Sequence, residues 1–251
     1  MTDHKNIRSK MKKNIALLDH PIVSQHVPET VWYNAQNLKE MLTRYKGIYI
    51  KPNTGKQGNR IIRVKKMNEL TCVLSDNNFS KKIALPELFK ELESIMVKRK
   101  YIIQQEIDLA THNGCPFDIR MVMQRPYTTW ELTLTSAKVA LKEGAVVTNV
   151  SKGAKDYPLN KILQKYDQKQ DPLAVMRELI NLAHQISSAL GSKYPLRTIG
   201  LDMAIDKTNK VWFIEANTMP QCRRCTRVND KSSKQKYKKA KKIIKTESRG
   251  D

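Results

Sequence analysis

Long apolar runs are missing from this chain. No stretch approaches 18 uninterrupted apolar residues, so no segment reads as a membrane-spanning helix. The first residues, MTDHKNIRSKMKKN, lack the apolar centre of a signal peptide. Cysteine is sparse: Cys72, Cys115, Cys222 and Cys225 are the only four. A reduced, cytoplasmic compartment without disulfides is therefore expected. Cys222 and Cys225 form a C-x-x-C, but zinc needs two further ligands. There is no second C-x-x-C and no H-x-x-x-H, and the five histidines are scattered. Aromatic residues make up 6% of the chain and form no RNP-like run, which argues against base recognition by stacking. Ten prolines and nine glycines exclude collagen-like or low-complexity chains. No internal repeat is visible, and no Ser/His/Asp arrangement suggests a nucleophilic triad.

Acidic residues are few as well: 24 Asp+Glu stand against 46 Lys+Arg, for a net charge of +22. Such an excess invites a polyanion reading, but its distribution matters more than its sum. Residues 223–251 carry a net +9 and residues 1–13 a net +4. The 209 residues between them carry only +9. The final segment shows no apolar period worth a core, and it reads as a basic, disordered tail. Its lysines suit either plain solvation or contact with a polyanion.

What is present is a mixed pattern of helices and strands. Forty per cent of the 251 residues are hydrophobic, enough for one large domain or two small ones. Leu38, Met41, Leu42 and Tyr45 have helical spacing behind a candidate N-cap, Asn34. Ile48–Ile50 and Ile61–Val64 read as two strands around a polar loop, Asn53 to Arg60, that contains Gly55 and Gly58. A helix is expected from about Leu85 to Lys98 and a strand from Tyr101 to Ile107. Asp118–Gln124, Trp130–Leu141 and Ala145–Asn149 are further strand candidates. Residues 172–190 form the clearest helix, with Gly191 as its expected C-cap. Thr198–Ile205 and Lys210–Ala216 form a last hairpin around Lys207-Thr208-Asn209. Hairpins mixed with helices indicate two α+β layers.

That last hairpin carries the sharpest chemical signal. A turn centred on Thr208-Asn209 places Asp202 directly across from Glu215, and opposed side chains stand about 4.5–5.5 Å apart. Two carboxylates at that distance repel unless a cation lies between them. Asn217 lies on the same face by the period of two. Two carboxylates and an amide oxygen suit a hard cation such as Mg²⁺. An ordinary solvated sheet face would give the same acids. The first hairpin complements the last: Lys51 stands at a strand end, and glycines in the loop let backbone N–H groups approach phosphate oxygens. The loop is not a Walker A motif, since G-x-x-x-x-G-K-[ST] is absent. A flexible turn reads the same way. Asp118 and Arg120 alternate with apolar residues, as a solvated strand face also would.

Taken in order, Tyr49-Ile50-Lys51-Pro52 with its glycine loop, Ile103-Gln104-Gln105-Glu106-Ile107, Asp118-Ile119-Arg120, Asn149, Gly200-Leu201-Asp202 and Phe213-Ile214-Glu215-Ala216-Asn217 resemble the motif set of ATP-grasp proteins. The resemblance runs from about Pro21 to Gln221. The segment VPETVWYNAQNLKEMLTRYKGIYIKPNTGKQG is most similar to the YheC/YheD-type proteins of endospore coats. The resemblance implies an α+β ATP-grasp fold, two subdomains gripping a nucleotide between them. Residues 1–20 would then be a basic arm. Residues 21–105 would form the subdomain with the phosphate loop, and residues 106–222 the one with the metal hairpin. Residues 223–251 remain the tail. Only about twenty residues precede Pro21, too few for the α/β domain that often comes before this fold.

The resemblance also implies roles. Lys51 would hold the α/β-phosphates, and Gly55 and Gly58 would let the loop close over them. Gln104 and Gln105 would face the adenine amino group, and Glu106-Ile107 would offer hinge backbone to its edge. Asp118 would contact the ribose and Asn149 the phosphate–metal end. Arg120 would meet the phosphates or a developing acyl phosphate, with Lys152 as a substrate contact. Asp202, Glu215 and Asn217 would bind Mg²⁺, or Mn²⁺ in its place. The implied chemistry joins a carboxylate to an amine or thiol through an acyl phosphate. The competing readings are a degenerate scaffold in the spore coat and a protein that uses residues 223–251 to bind a polyanion or an acidic coat partner.

Overall fold

The computed structural model describes residues 4–55, 59–76, 78–146 and 153–247. The chain opens with α1 (Lys10–Leu18) and α2 (Pro21–Ser24), followed by β1 (Thr30–Trp32) and α3 (Ala35–Arg44). Next come β2 (Gly47–Pro52), β3 (Ile62–Lys66), β4 (Thr71–Ser75) and β5 (Ser80–Ala84). A 3-10 turn, Leu85–Glu87, leads into α4 (Leu88–Ile95), and β6 (Tyr101–Gln105) follows. The second half runs β7 (Thr111–His112), β8 (Cys115–Gln124), β9 (Glu131–Val139), β10 (Lys155–Tyr157) and α5 (Leu159–Leu163). It continues with α6 (Pro172–Lys193), β11 (Thr198–Ile205), β12 (Val211–Asn217), α7 (Arg223–Arg227) and α8 (Lys231–Glu247).

Two antiparallel sheets result. The first has the order β1-β6-β2-β3-β4-β5 and the second β10-β9-β8-β11-β12, with β7 paired to β8. Each sheet is apolar on one face. Ile48, Ile50, Val64, Leu74 and Ile103 of the first sheet pack with Leu38, Met41 and Leu42 of α3 and with Leu88 and Leu92 of α4. Asn34 does cap α3, accepting from Asn37 N at 2.7 Å. Phe117, Ile119, Met121, Leu201, Met203 and Phe213 of the second sheet pack beneath Leu179, Ala183, Ile186 and Leu190 of α6. Strict alternation then leaves one polar face on each sheet, and the site lies between those faces.

Three segments differ from the expectation. First, the basic N-terminal arm is helical. Ser9 caps α1, and Ala16, Leu17, Val23 and Val27 join the core of the second sheet. Second, Gly191 lies inside α6, which continues to Lys193 and is capped at Tyr194. A Cβ at Gly191 would stand 3.0 Å from Trp130 Cζ2, so the glycine serves close packing and not termination. Third, the tail expected to be disordered forms α7 and α8. Tyr237 packs on Val122, Leu134, Cys222 and Cys225, Ala240 is buried, and Glu247 pairs with Arg197 at 2.6 Å. Tyr237 and Ala240, three residues apart, give one short anchoring stripe, too sparse to stand out among the lysines. Among the described residues no helix is long and apolar enough to cross a membrane. The strand candidate Ala145–Asn149 runs into residues outside the described ones.

The N-terminal segment is also tied down by His4. Arg197 N–H donates to His4 Nδ1 at 2.9 Å, and the other ring nitrogen bonds Thr218 O. Both bonds require the neutral ring with its proton on Nε2. Burial holds the pKa below the ordinary 6.5, and Arg197 adds to that, while the bond to Thr218 opposes it. A His with a lowered folded pKa contributes stability that is present above 6.5 and lost as pH falls through the folded value. Urea denaturation between pH 7.5 and about pH 5 should therefore show a loss of stability that His4→Gln removes. By the packing argument, Gly191→Leu should destabilise the protein by about 1–3 kcal/mol in the same assay at neutral pH.

Candidate functional site

On the second sheet the polar residues form a ladder across four strands. Ser136 pairs with Arg120, Arg120 with Asp202, and Asp202 with Glu215. The Asp202–Glu215 pairing was expected, but it arises by an unexpected route. From Ile205 opposite Val211, simple counting brings Ile214 to Asp202. A register shift between Asp202 and Met203 inserts Ile214 as an extra residue, so Glu215 takes that place and Asn217 opposes Gly200.

Arg120, expected to meet a ligand, instead holds one of these carboxylates together with Lys138. Arg120 grips Asp202 bidentately, Nε to Oδ1 at 2.9 Å and Nη2 to Oδ2 at 3.0 Å. Lys138 Nζ lies 2.9 Å from Asp202 Oδ1 and 2.5 Å from Asp118 Oδ1. Gly200 makes room for this: a Cβ there would stand 2.7 Å from Arg120 Nη1 and 2.8 Å from Pro220 Cβ. Burial opposes the Asp202 carboxylate, yet Arg120 and Lys138 outweigh it and hold its pKa below the usual range. Burial also works against the Lys138 ammonium, and Asp118 and Asp202 override it and raise the pKa. The three expected residues Asp118, Arg120 and Asp202 thus share one network, completed by a fourth, Lys138, that sequence reasoning missed.

On the first sheet, Lys51 Nζ donates to Gln104 Oε1 at 2.5 Å, and Gln104 Nε2 donates to Thr30 Oγ1 at 3.1 Å. Gln104 is 3% exposed and faces the cleft. Gln105 does not. It opposes Ile48 on the helix-covered face, where its Oε1 accepts from Glu29 N at 3.3 Å. Successive strand residues point to opposite faces, so only one of the two glutamines faces a ligand. Glu106 pairs with Arg63 at 2.6 Å, and its N–H donates to Gly47 O. That N–H is engaged within the sheet, and Ile107 is buried where the chain leaves it. Gly58, Asn149 and Lys152 lie outside the described residues.

Helix α1 closes the gap between the sheets. Asn53 Oδ1 accepts from Ser9 Oγ and Met11 N, both at 3.0 Å, and Asn53 O accepts from Lys10 N at 2.9 Å. Lys10 Nζ stands 3.1 Å from Glu215 Oε1 and donates to Gly55 O at 3.4 Å. Lys13 donates to Ala216 O and lies 4.0 Å from Glu215 Oε1. Lys10, Lys13, Asn14, Lys51, Gln104, Ile214, Glu215 and the backbone around them enclose a small cavity between the sheets. Burial brings both Lys13 and Lys51 down to about 8, and Glu215 resists the fall. Lys10, Lys13 and Asn14 have i, i+3, i+4 spacing, a signal for one helix face that the surrounding charge run obscured.

The cleft thus gathers Lys10, Lys13, Lys51, Arg120 and Lys138 against Asp118, Asp202 and Glu215, for a net +2. This balance decides how a metal fits. Asp202 already accepts from two cations, and Asn217 Oδ1 accepts from Met219 N at 3.0 Å. Among the described residues no group of three or more His, Cys, Asp or Glu is placed to hold a metal. A bare divalent ion would raise the local charge to +4. A divalent ion on a triphosphate of charge −4 would bring the total to zero. The charge balance fits a cation delivered with a polyphosphate better than a bare one, and the oxygens on that wall of the cleft are those of Asp202, Glu215 and Asn217.

The chain was compared with known proteins. A sequence model described as YheC/D-like ATP-grasp matches residues 1–244. The endospore coat-associated protein YheC of Bacillus subtilis is 21% identical over 227 residues, covering 88% of this chain and 62% of the relative. YheD of the same organism is 25% identical over 191 residues, covering 73% and 41%. This chain therefore spans less than two thirds of the length of either relative. Among solved structures, the VanG D-Ala:D-Ser ligase of Enterococcus faecalis superposes with a TM-score of 0.57 at 13% identity, over 94% of this chain and 61% of that one. At that identity the likeness speaks for the ATP-grasp fold.

The network separates the two acidic positions experimentally. Asp202→Asn strands Arg120 and Lys138 without their shared counter-charge, and breaking a buried pair costs about 3–5 kcal/mol. Glu215→Gln leaves Lys10 and Lys13 without their carboxylate, but these keep the carbonyl oxygens of Gly55 and Ala216 as acceptors, and Glu215 itself is 33% exposed, so the cost should be smaller than that of Asp202→Asn. Denaturant titration of the ligand-free variants checks the ordering.

Proposed function

Because this chain belongs to the YheC/D-like ATP-grasp family, we propose that it binds ATP with Mg²⁺ between its two sheets and uses it to activate a carboxylate. The observation that carries this reading is the convergence of five cations from α1, β2, β8 and β9 on three carboxylates in a largely buried cleft. An uncompensated +2 in a low-dielectric cleft calls for a polyanion. Lys51 and Lys10 stand beside the glycine loop, where the phosphates would lie, and Lys13 adds a third ammonium. Gln104 lines the same wall as Lys51. Gly55, whose missing Cβ leaves open space except for Pro52 at 3.9 Å, lets the loop approach the phosphates.

Asp202, Glu215 and Asn217 would hold Mg²⁺, or Mn²⁺ by the same oxygen chemistry, and the ion would offset charge between the terminal phosphates. A carboxylate oxygen attacks the γ-phosphorus and ADP departs, giving an acyl phosphate. An amine or thiol then attacks the acyl carbon, inorganic phosphate leaves and the nucleophile loses a proton. The protein contributes position and charge in such a transfer, and no side-chain nucleophile is needed. Arg120 is the group for the developing acyl phosphate, and Lys138 keeps Asp118 and Asp202 in place for ribose and metal. Lys152 and Asn149 are assigned to the substrate and the phosphate–metal end by their motif positions alone.

A second reading is a non-catalytic coat scaffold. It is favoured by the narrow cleft and by Asp202 having both oxygens engaged. Both relatives carry the words endospore coat-associated in their names, and coat association is proposed here under either reading.

The experiment is a thermal shift with and without nucleotide. At about 100-fold excess over Kd, ATP with Mg²⁺ should raise Tm by about 5–10 °C. Mg²⁺ alone should give no shift. Lys51→Ala and Glu215→Gln should each remove most of the effect. Absence of a shift in the wild type would sink the proposal. ADP and phosphate release on addition of carboxylate and amine pools separates the ligase from the scaffold.

A further inference from the structure

The folded tail carries exposed positive charge that neither nucleotide binding nor the core requires. Helix α8 is held to the second sheet along one side. Tyr237 and Ala240 pack inward, Lys236 reaches Glu131 at 3.5 Å, Glu247 holds Arg197, and the preceding Asn229 bonds Thr135. The side that faces away carries Lys231, Lys238, Lys242 and Lys245, all exposed. Their offsets of 7, 11 and 14 residues place them on one stripe, within about 60° of each other at 100° per residue. Lys239 and Lys241, also exposed, flank it. Among the described residues no ion pair involves Lys238, Lys242 or Lys245, and α8 contains one acid, Glu247, on the anchored side. Fourteen residues of helix span about 21 Å, the length of six or seven residues of extended peptide.

The strip continues toward the cleft. Arg223, Arg224 and Arg227 of α7 are exposed. Pro220, three residues before Arg223, packs on Gly200 beside the Arg120 guanidinium. Cys222 and Cys225 pin this turn to Val122 and Leu134 of the sheet that bears the site. One end of the basic strip therefore lies at the edge of the Arg120–Asp202 network, and the other runs out along α8.

We propose that the outward face of α8, continued by the arginines of α7, is a docking strip for an acidic polypeptide that brings carboxylates to the cleft. Glutamate- or aspartate-rich sequence supplies both what the strip recognises and what the reaction consumes. The delivery role rests on the proposed carboxylate activation, but the docking itself does not. Aromatic side chains that would stack on bases are absent from the outward face, which favours a peptide over a single-stranded nucleic acid.

The test measures binding of a fluorescent 20-residue Glu/Asp-rich peptide by anisotropy to the full chain, without nucleotide. A length-matched neutral peptide with Gln and Asn in place of Glu and Asp, and a DNA duplex of equal charge, are the comparisons. The acidic peptide should bind, and its affinity should fall at least tenfold in the triple variant Lys238→Glu/Lys242→Glu/Lys245→Glu. It should also weaken steeply as salt rises above about 0.15 M. The triple variant leaves the anchoring side and the cleft intact, so an unchanged thermal shift with ATP and Mg²⁺ shows that it is folded. If the wild type shows no such shift, far-UV circular dichroism gives the same check, and failed nucleotide binding stays separate from failed docking. No peptide binding, binding unaffected by the triple variant, or tighter binding of the duplex would each overturn the proposal.

Discussion

The buried carboxylate of Asp202, gripped by Arg120 at 2.9 and 3.0 Å and by Lys138 at 2.9 Å, is the interaction on which the cleft depends. It ties β8, β9 and β11 together through side chains on the face that the apolar core does not stabilise. It also resolves an electrostatic problem. Asp118, Asp202 and Glu215 stand on neighbouring strands, and their repulsion in a partly dry cleft would be large without intervening cations. Gly200 and the loop at Pro220 follow from the same constraint, since the guanidinium must lie flat across the strand to reach both oxygens.

Helix α1 performs the matching task across the gap. Its first turn is fastened to Asn53 at the mouth of the glycine loop, and its lysines reach Glu215 on the opposite sheet. The two sheets are thereby linked through the place where a nucleotide is proposed to sit. The lysines occupy the carboxylates in the ligand-free protein; in the proposed complex a metal held by those carboxylates would free the lysines for the phosphates. On the proposed reading, nucleotide and cation together would balance the +2 of the cleft, while either alone would leave it out of balance.

The two ends of the chain share a logic. Both carry far more net charge per residue than the central part, and both fold by placing a few apolar residues inward. In α1 the lysines face the cleft, and in α8 they face outward. The same residue type in runs of similar composition thus serves an internal site at one end and a surface at the other.

Much of this was legible in the sequence. The hairpins, α3, α6 and the order of motifs follow from local turn chemistry and periodicity, which act over a few residues and are written in them. Asp202 and Glu215 could be paired because an antiparallel hairpin obliges its strands to face each other. The tertiary structure alone decided the rest. The bulge at Ile214 fixes which residue opposes Asp202, and no local propensity announces it. Gln104 and Gln105 are adjacent and identical, and only the sheet register decides which one faces the cleft. Lys10, Lys13 and Lys138 look like solvated lysines until the fold surrounds them with carboxylates, because a charge becomes part of a site only through neighbours distant in the chain. The helical tail is the same lesson in reverse: Tyr237, Ala240 and the Glu247–Arg197 pair anchor it, but only when a sheet is there to receive them.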